Sequence, residues 1–271
     1  FYLLRPDRVF DGEQMHEGWQ VLVKNKQILE VGTIKNIPPK TTVLELKGCT
    51  LLPGLIEGHS HVFLHPYNET TWEDQVLKES RAERTARAVN HAKATLLAGF
   101  TTIRDLGTEG SQYDDVGLKI SINKGVIPGP HMLVATKASV ISGSYAPKPA
   151  SPDVSFPQGA AEVGNSEELA KEIRTQIGRG ADWIKLYADY RIGQDAQTLP
   201  TFSEEEMKMA VQLAAGNNRL VSAHASTPEG MRRATMAGVT TIEHGDNGTP
   251  EVFRLMKEKG VALCPTIAAD N

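Results

Sequence analysis

The chain contains 271 residues, 40% of them hydrophobic, so it can bury one large core or a large and a small one. Its 29 basic and 33 acidic residues form no long block of one sign, and no apolar run approaches the ~18 residues that span a bilayer, so neither nucleic acid nor a membrane is an expected partner. Cys49 and Cys264 form no CxxC motif, which argues against a disulfide framework or a thiolate metal cage, and both are expected to pack as small apolar residues.

The segment 1–50 lacks helical periodicity and is predicted to form short strands. The stretch QVLVKNKQILEVG predicts a hairpin around residues 24–26, and TTVLELKGCTLLPG predicts a further strand after a proline-rich connection. We therefore predict two parts, a small β-sandwich portion over 1–50 and a larger domain over 51–271.

From residue 51 onward, short apolar strands alternate with longer amphipathic helices, which is typical of βα units around a parallel sheet. Two units repeat each other, LAGFTTIRD at 97–105 and MAGVTTIEH at 236–244, and this repetition favours an α/β fold of the (β/α)8 TIM-barrel type. Seven barrel strands are predicted, at 50–56, 101–105, 131–136, 183–187, 220–223, 240–243 and 261–265.

Helix starts are marked by capping residues. The TPE triplets at 227–229 and 249–251 each supply an N-cap, a proline at the first helical position and an acid in the first turn, and 203–206 forms a capping box. Because His224 and His244 lie just before the two triplets, both are expected at the carboxyl ends of strands. In a barrel, this rim carries the active site.

The stretch GHSH places His59 and His61 two residues apart after a short apolar run. Since side chains alternate along a strand, both imidazoles are expected on the same face, close enough to hold one ion. Together with His224 and His244 they predict a site for Zn²⁺ or a similar divalent ion. His91, by contrast, is interpreted as an ordinary hydrogen-bonded or surface residue.

Lys185 lies within DWIKLY, a predicted strand in which its neighbours are apolar. Lysine is rarely buried without a partner, and burial lowers its pKa, so that the neutral amine can act as a base or react with an electrophile. The alternative is a lysine that reaches solvent from the end of the strand.

This order of residues resembles the amidohydrolase superfamily. The resemblance is carried by GHSH after the first barrel strand, within LPGLIEGHSH, by a lysine in the fourth barrel strand, and by single histidines that end the fifth and sixth strands, the sixth within TIEHG. More narrowly, the chain is similar to the branch with imidazolonepropionase-like proteins and Xaa-Pro or Xaa-Arg/Lys dipeptidases. The resemblance covers nearly the whole chain and implies a hydrolase of small molecules.

The resemblance also implies a cofactor of two divalent ions, with Zn²⁺ favoured. It places His59 and His61 on the more buried ion, His224 and His244 on the outer ion, and a carboxylated Lys185 between them, with Lys185 and His244 also among the catalytic residues. A hydroxide held between the ions would attack the carbonyl that the ions polarise.

The same resemblance implies that the chain is part of a longer enzyme. The family's fifth ligand, an Asp that ends the eighth strand, and the last strands of its β-sandwich are expected beyond residue 271. Asp270 follows the seventh strand too closely to be that ligand. Because the chain begins at Phe1, the compartment stays open, with the cytoplasm favoured. A homo-oligomer is expected.

Three residues after His224, deaminase-type members of the superfamily carry a Glu, whereas this chain has Thr227, which is expected to cap a helix. This difference favours hydrolysis over deamination. We predict cleavage of the C–N bond of a dipeptide or an N-acyl amino acid. The alternatives are a cyclic amide or lactone hydrolase, and a non-catalytic barrel protein that retains a metal site.

Four residues near strand ends are predicted to bind a substrate carboxylate or the oxyanion: His65, Tyr67, Tyr187 and Arg191. Each of them could instead anchor a loop. Asp105, at the end of the second strand, could orient a ligand histidine or cap the next loop. The segment 139–159 is rich in Pro, Gly and Ser and predicts a lid or recognition loop, with disorder as the alternative.

Overall fold

The chain folds into two compact units, Phe1–Leu55 and Ile56–Asn271. The fold is taken from a computed structural model, in which the described residues are 1–146, 151, 153–156, 158–193 and 195–267. Among these residues, no helix combines the length and the apolar character that crossing a membrane requires. Asp270 and parts of the predicted lid, at 147–150, 152 and 157, lie outside the described residues.

The first unit is built on one five-stranded sheet. Its strands are β1 Tyr2–Phe10, β2 Met15–Glu17, β3 Gln20–Lys24, β4 Gln27–Gly32 and β5 Thr42–Leu51. Strand β1 pairs antiparallel with β2 and β3 and parallel with β5. The predicted hairpin is confirmed, because β3 and β4 are joined at Asn25, whose φ of 55° suits a tight turn. The second layer of the sandwich stays a prediction.

The second unit alternates strands and helices. Its strands are β6 Leu55–Ser60, β7 Phe100–Asp105, β8 His131–Val134, β9 Ser139–Ile141, β10 Ala161–Val163, β11 Trp183–Tyr187, β12 Asp189–Ile192, β13 Gln197–Pro200, β14 Leu220–Ala225, β15 Thr241–His244 and β16 Ala262–Cys264. Its helices are α1 Trp72–Lys78, α2 Arg81–Leu97, α3 Asp114–Asn123, α4 Ser166–Arg179, α5 Glu204–Ala215, α6 Pro228–Ala237 and α7 Pro250–Lys259. Six of the seven predicted barrel strands match an observed strand to within two residues at each end.

The first predicted barrel strand, 50–56, is wrong. Residues up to Leu51 belong to β5, which pairs along β1, and the barrel strand β6 begins only at Leu55. Pro53 lies between the two strands and has no N–H for a sheet hydrogen bond, which explains the break. His59 therefore lies inside β6, and His61 directly follows it.

The strands of the second unit form two main sheets, in the orders β6-β7-β8 and β10-β9-β11-β14-β15-β16. The strand pairs with a described register are parallel in both. Where β8 ends, the N–H of Asp182 donates to the carbonyl of Val134 at 2.8 Å, which links the two sheets. A short antiparallel hairpin, β12 and β13, follows β11 and was not predicted.

The predicted helix starts are confirmed. Ser203 forms the capping box of α5, and the side chains of Thr227 and Thr249 cap α6 and α7, each followed by a proline. Gly238 and Gly260 end these two helices at φ values of 85° and 71°, a conformation that glycine adopts without strain. These signals fix where β14 and β15 meet their helices, and so place His224 and His244 at the rim.

The largest apolar core lies in the second unit, where β11, β14 and β15 pack against α4 to α7. Ile184, Leu186 and Ile242 are completely buried there. The prediction that Cys49 packs as a small apolar residue is wrong, because it is exposed, as is most of β5.

Candidate active site

His59 and His61 meet at the end of β6, where their Nε2 atoms lie 3.1 Å apart. The Nδ1 atom of His59 lies 2.9 Å from a carboxylate oxygen of Glu243, and that of His61 lies 2.8 Å from the carbonyl oxygen of Gly107. Both partners can only accept, so each neutral ring carries its proton on Nδ1. The Nε2 lone pairs consequently face each other, an arrangement that favours a cation between them.

His224 and His244 join the pair from the ends of β14 and β15. The ring centre of His244 lies 4.9 Å from that of His59 and 4.6 Å from that of His224, and its Nδ1 lies 2.7 Å from the hydroxyl of Thr266. His244 has a φ of 72°, which residues other than glycine rarely adopt unless their surroundings impose it. The structure thus brings the four predicted histidines into one cluster, which we call the histidine rim.

Burial keeps three of these imidazoles neutral, those of His59, His224 and His244. It lowers the pKa of His59 and His224 well below the ordinary value, with the charge of Lys185 adding to the effect at His59 and that of His244 at His224. Burial and then the charge of Lys185 lower the pKa of His244 to about 4. Neutral imidazole is the form that binds metal ions.

Lys185 lies on β11 with 1% of its surface exposed, so it does not reach solvent. Its Nζ has no hydrogen-bond partner among the described residues. Burial lowers the pKa of this amine to about 8. Nζ lies 5.6 Å from the centre of the Tyr187 ring. A buried amine without a hydrogen bond is unfavourable, and a modification or a bound ligand would satisfy it.

Glu243 was not predicted as a site residue, although it is fully buried beside the histidine rim. Its carboxylate accepts hydrogen bonds from Nδ1 of His59, Nη2 of Arg104, Oγ of Ser222 and Oγ1 of Thr241. Burial alone would raise the pKa of Glu243, but the bond from His59 and the charges of Lys185 and Arg104 bring it below its ordinary value. A signal was present, because an acid inside the apolar strand of TIEH is as unusual as Lys185.

Asp105 contacts backbone in this structure. Its buried carboxylate accepts from the N–H of Val62 at 3.1 Å and from the N–H of Gly107 at 3.2 Å. The connection of Asp105 with His61 therefore runs through Gly107, whose carbonyl holds the imidazole.

The histidine rim opens into a cavity of about 790 Å³. Of the predicted substrate residues, Tyr67, Tyr187 and Arg191 line this cavity. Cys264 lines it as well and is only partly buried, so the expectation that it packs in the apolar core is wrong. The face that carries Tyr187 consists of aromatic residues around one acid, which together we call the aromatic wall: Trp72, Glu109, Tyr145, Tyr187 and Tyr190.

His65 lies on a different cavity, of about 580 Å³, which it shares with His61 and His91. Its ring nitrogens lie 3.2 Å from Glu69 and 3.6 Å from Glu79. His91 directs Nδ1 to the carbonyl of Val62 at 2.9 Å, as an ordinary hydrogen-bonded histidine does. Tyr67 lines both cavities, so the structure separates His65 only from Tyr187 and Arg191.

The aromatic wall is organised by Glu109, which is 2% exposed. One oxygen of Glu109 accepts from Nε1 of Trp72 at 2.9 Å and from the hydroxyl of Tyr145 at 2.7 Å. The hydroxyls of Tyr145 and Tyr187 lie 3.0 Å apart, and the ring of Tyr187 stacks on His224 with a centre distance of 4.6 Å. Of the aromatic wall, only Tyr187 was predicted, because no local sequence pattern connects the other wall residues.

The backbone of Glu109 is fixed by Arg84, on the side of the wall away from the cavity. Its φ of 49° is left-handed, and the buried guanidinium of Arg84 donates to the carbonyls of Thr108 and Glu109. Gly159 packs against the same wall, so closely that a Cβ atom there would lie 2.7 Å from the Trp72 ring.

The sequence profile of the amidohydrolase family matches residues 50–270, so the chain belongs to this family. Ochratoxinase from Aspergillus niger is 31% identical over 278 residues, which cover 94% of this chain and 56% of that enzyme. The chain thus spans about half the length of this relative.

Solved structures agree with the family assignment. A prolidase complexed with N-methylphosphonate-L-proline gives a TM-score of 0.86 at 27% identity over 98% of this chain and 66% of that one. A Xaa-Pro dipeptidase with bound methionine gives 0.85 at 28% identity over 98% and 67%. The predicted amidohydrolase membership and a TIM-barrel-like α/β fold are confirmed. The eighth strand and the narrower branch stay predictions.

The amidohydrolase family typically binds divalent metal ions, and the residues present fit such ions. Neutral imidazoles converge, two Nε2 lone pairs face each other, and their Nδ1 atoms are held by acceptors, which is how metal-binding histidines are usually oriented. The amine of Lys185 is buried as well and has no hydrogen-bond partner among the described residues. Nitrogen and oxygen donors of this kind suit Zn²⁺ and similar ions.

Proposed function

We propose that the protein is a metal-dependent hydrolase that cleaves the C–N bond of an amide in a dipeptide or an N-acyl amino acid. The observation that carries the proposal is the convergence of four imidazoles at one cavity, beside the buried amine of Lys185, which has no hydrogen-bond partner among the described residues. Membership of the amidohydrolase family and the similarity to ochratoxinase and Xaa-Pro dipeptidase support hydrolysis.

In this proposal His59 and His61 would hold one divalent ion and His224 and His244 a second, and Lys185, once carboxylated, would supply carbamate oxygens as further ligands. Bound ions supply Lewis acidity to the substrate carbonyl and lower the pKa of water. Lys185 becomes a carbamate when its neutral Nζ adds to CO₂ and releases a proton. The lowered pKa of this amine raises the neutral fraction that can react.

The surrounding residues keep the histidine rim in its binding form. Glu243 accepts from Nδ1 of His59 and the carbonyl of Gly107 faces Nδ1 of His61, which leaves both Nε2 atoms unprotonated. Because these partners lie on β15 and in the loop after β7, the orientation of the two imidazoles is set before any substrate binds.

The cavity indicates the size and charge of the substrate. A volume of about 790 Å³ suits a small molecule. Arg191 lines the cavity and donates to the hydroxyl of Tyr190 at 3.2 Å, which directs a guanidinium toward the space where the carboxylate of an N-acyl amino acid or dipeptide would bind.

Metal content tests the proposal first. We expect close to two divalent ions per chain by mass spectrometry when the protein is purified without chelator, in this chain and in a version extended to the length of its relatives. The extended version should release free amine from a panel of N-acyl amino acids and dipeptides. Metal content near zero in both versions would refute the metal site, and bound metal without hydrolysis of any panel member would refute the reaction.

A further inference from the structure

The hydroxyls of Tyr145 and Tyr187 form a hydrogen-bond chain that ends on Glu109. Tyr145 donates its hydroxyl proton to Glu109 over 2.7 Å, and a tyrosine has only one such proton. The 3.0 Å contact between the two hydroxyls is therefore donated by Tyr187, with Tyr145 as the acceptor.

The direction of this chain is fixed at its buried end. The indole N–H of Trp72 can only donate, and it donates to the same oxygen of Glu109 that Tyr145 uses, so that oxygen must be an acceptor. Glu109 itself cannot easily turn, because Arg84 holds its carbonyl and the side chain is buried. Buried residues on the far side of the wall thus set the donor-to-acceptor direction of this hydrogen-bond chain. The chain ends at Tyr187, on the cavity side.

We propose that Tyr187 presents its oxygen to the substrate as a hydrogen-bond acceptor and thereby selects amides that carry an N–H at the scissile bond. The Tyr187 ring stacks on His224 at an interplanar angle of 14°, and Tyr187, His224 and His244 line the same cavity. In a secondary amide, the N–H is bonded directly to the carbonyl carbon that reacts there. An amide bond to the nitrogen of proline lacks this hydrogen, and so does an ester.

This inference rests on the proposed function and gives its substrate class more closely. It also differs from the prediction that Tyr187 binds a substrate carboxylate or the oxyanion, because in that role Tyr187 would donate a hydrogen bond and here it accepts one. To donate to such a group, Tyr187 would have to abandon Tyr145, whose own proton is committed to Glu109. A substrate N–H binds without disturbing the chain.

Two matched probes isolate the N–H group. N-(methylphosphonyl)-L-phenylalanine carries a P–NH bond, and the phosphonate ester of L-3-phenyllactate carries oxygen at that position. Their dissociation constants are measured by calorimetry on the chain equilibrated with Zn²⁺. We expect the P–NH probe to bind roughly tenfold more tightly, since the ester oxygen faces another acceptor. Equal affinities, or binding of neither probe, would overturn the proposal.

Tyr145→Phe tests the hydrogen-bond chain from Tyr187 through Tyr145 to Glu109. Without the Tyr145 hydroxyl, Tyr187 is free to donate to the ester oxygen, so the preference should fall to about twofold or less. Tyr113→Phe is the matched control, because the Tyr113 ring packs under Lys137 and Arg179 away from the cavity lining, and it should keep the full preference. An unchanged preference in Tyr145→Phe would overturn the proposed role of the chain.

Neutron diffraction of the unsubstituted, deuterated protein gives an answer that does not depend on how variants fold. The deuteron of Tyr187 should point at the Tyr145 oxygen, and a Tyr145 deuteron that points at Tyr187 would overturn the inference. Failure of the proposed function has a different signature. Amide hydrolysis with equal affinity for both probes removes only this inference, whereas a P–NH preference without hydrolysis removes only the reaction.

Discussion

The histidine rim and the aromatic wall face the same cavity but are built in different ways. The rim residues lie at or next to the ends of β6, β14 and β15, so the parallel strands themselves determine where the imidazoles lie. The wall residues come from α1, from loops and from β11 and β12, and side-chain hydrogen bonds hold them together. The comparison indicates that parallel strands position the candidate metal ligands, whereas side-chain hydrogen bonds position the face of the cavity that is proposed to contact the substrate.

Each region is organised around one buried carboxylate, Glu243 in the rim and Glu109 in the wall. Glu243 directly precedes His244 on β15 and accepts from four side chains. Glu109 lies in the loop after β7 and accepts from Trp72 and Tyr145. The two regions touch where Tyr187 stacks on His224 and where Glu109 lies 3.8 Å from Nδ1 of His61. We expect substitutions in the rim to act mainly on metal binding and substitutions in the wall mainly on ligand choice and stability.

The largest effect is expected for His59→Ala, which removes a rim imidazole whose Nε2 lies 3.1 Å from that of His61. Metal content should fall, and kcat/KM of the extended version should drop by orders of magnitude. His91→Ala is the matched control, because His91 lies outside the rim and contacts a backbone carbonyl. Similar losses of metal and activity in both variants would contradict the assignment of the rim.

Lys185→Ala should lower metal occupancy, because it removes the group proposed to bridge the ions. Short carboxylic acids such as acetate or propionate should restore part of the metal content and part of the rate, since their oxygens can occupy the space left by a carbamate. Metal analysis and activity are measured with and without the acid. If occupancy and rate are both unchanged by the substitution, Lys185 does not belong to the site.

Glu243→Gln should weaken metal binding about 10- to 100-fold, the usual effect of removing a partner that orients a ligand histidine. A glutamine can still occupy the space but no longer supplies a charged acceptor to Nδ1 of His59. Metal dissociation constants are compared with those of Glu251→Gln, at an exposed acid paired with Arg254 on the first turn of α7. Equal affinities in the two variants would show that Glu243 does not position the histidine.

Trp72→Phe should have the smallest effect, and only on the wall. It removes one hydrogen bond to the buried Glu109 and should lower the free energy of unfolding by about 1–3 kcal/mol, as measured in urea. Trp19→Phe, in the first unit, controls for the loss of an indole. Metal content should be unaffected by Trp72→Phe, and a clear loss of metal would show that the rim and the wall are coupled.

Much of the barrel unit could be predicted from the sequence because its signals are local. Capping residues and apolar strands fix the ends of α6 and α7 and place His224 and His244 correctly. The error at 50–56 arose because the apolar run continues through Pro53, where the backbone changes from one strand to another. Glu243 was overlooked because an acid in a strand was not weighed as Lys185 was.

The aromatic wall could not be predicted, because it depends on contacts between distant positions. Trp72 and Tyr145 reach Glu109 across 37 and 36 residues, and Tyr145 reaches Tyr187 across 42. Trp72 and Tyr145 belong to no periodic pattern, and an isolated tyrosine is compatible with a loop anchor as well as with a cavity lining. Only the folded chain brings the indole of Trp72 and the hydroxyl of Tyr145 to one carboxylate.

The contact between Gly159 and the wall has a consequence for protein engineering. A methyl group at this position would press on Trp72, Tyr145 and Glu109 together, while the four imidazoles stay where the strands hold them. A single codon change to alanine would therefore reshape the aromatic side of the cavity and leave the strands that carry the four imidazoles unchanged. In a directed-evolution library for new substrates, Gly159 is the position to randomise first.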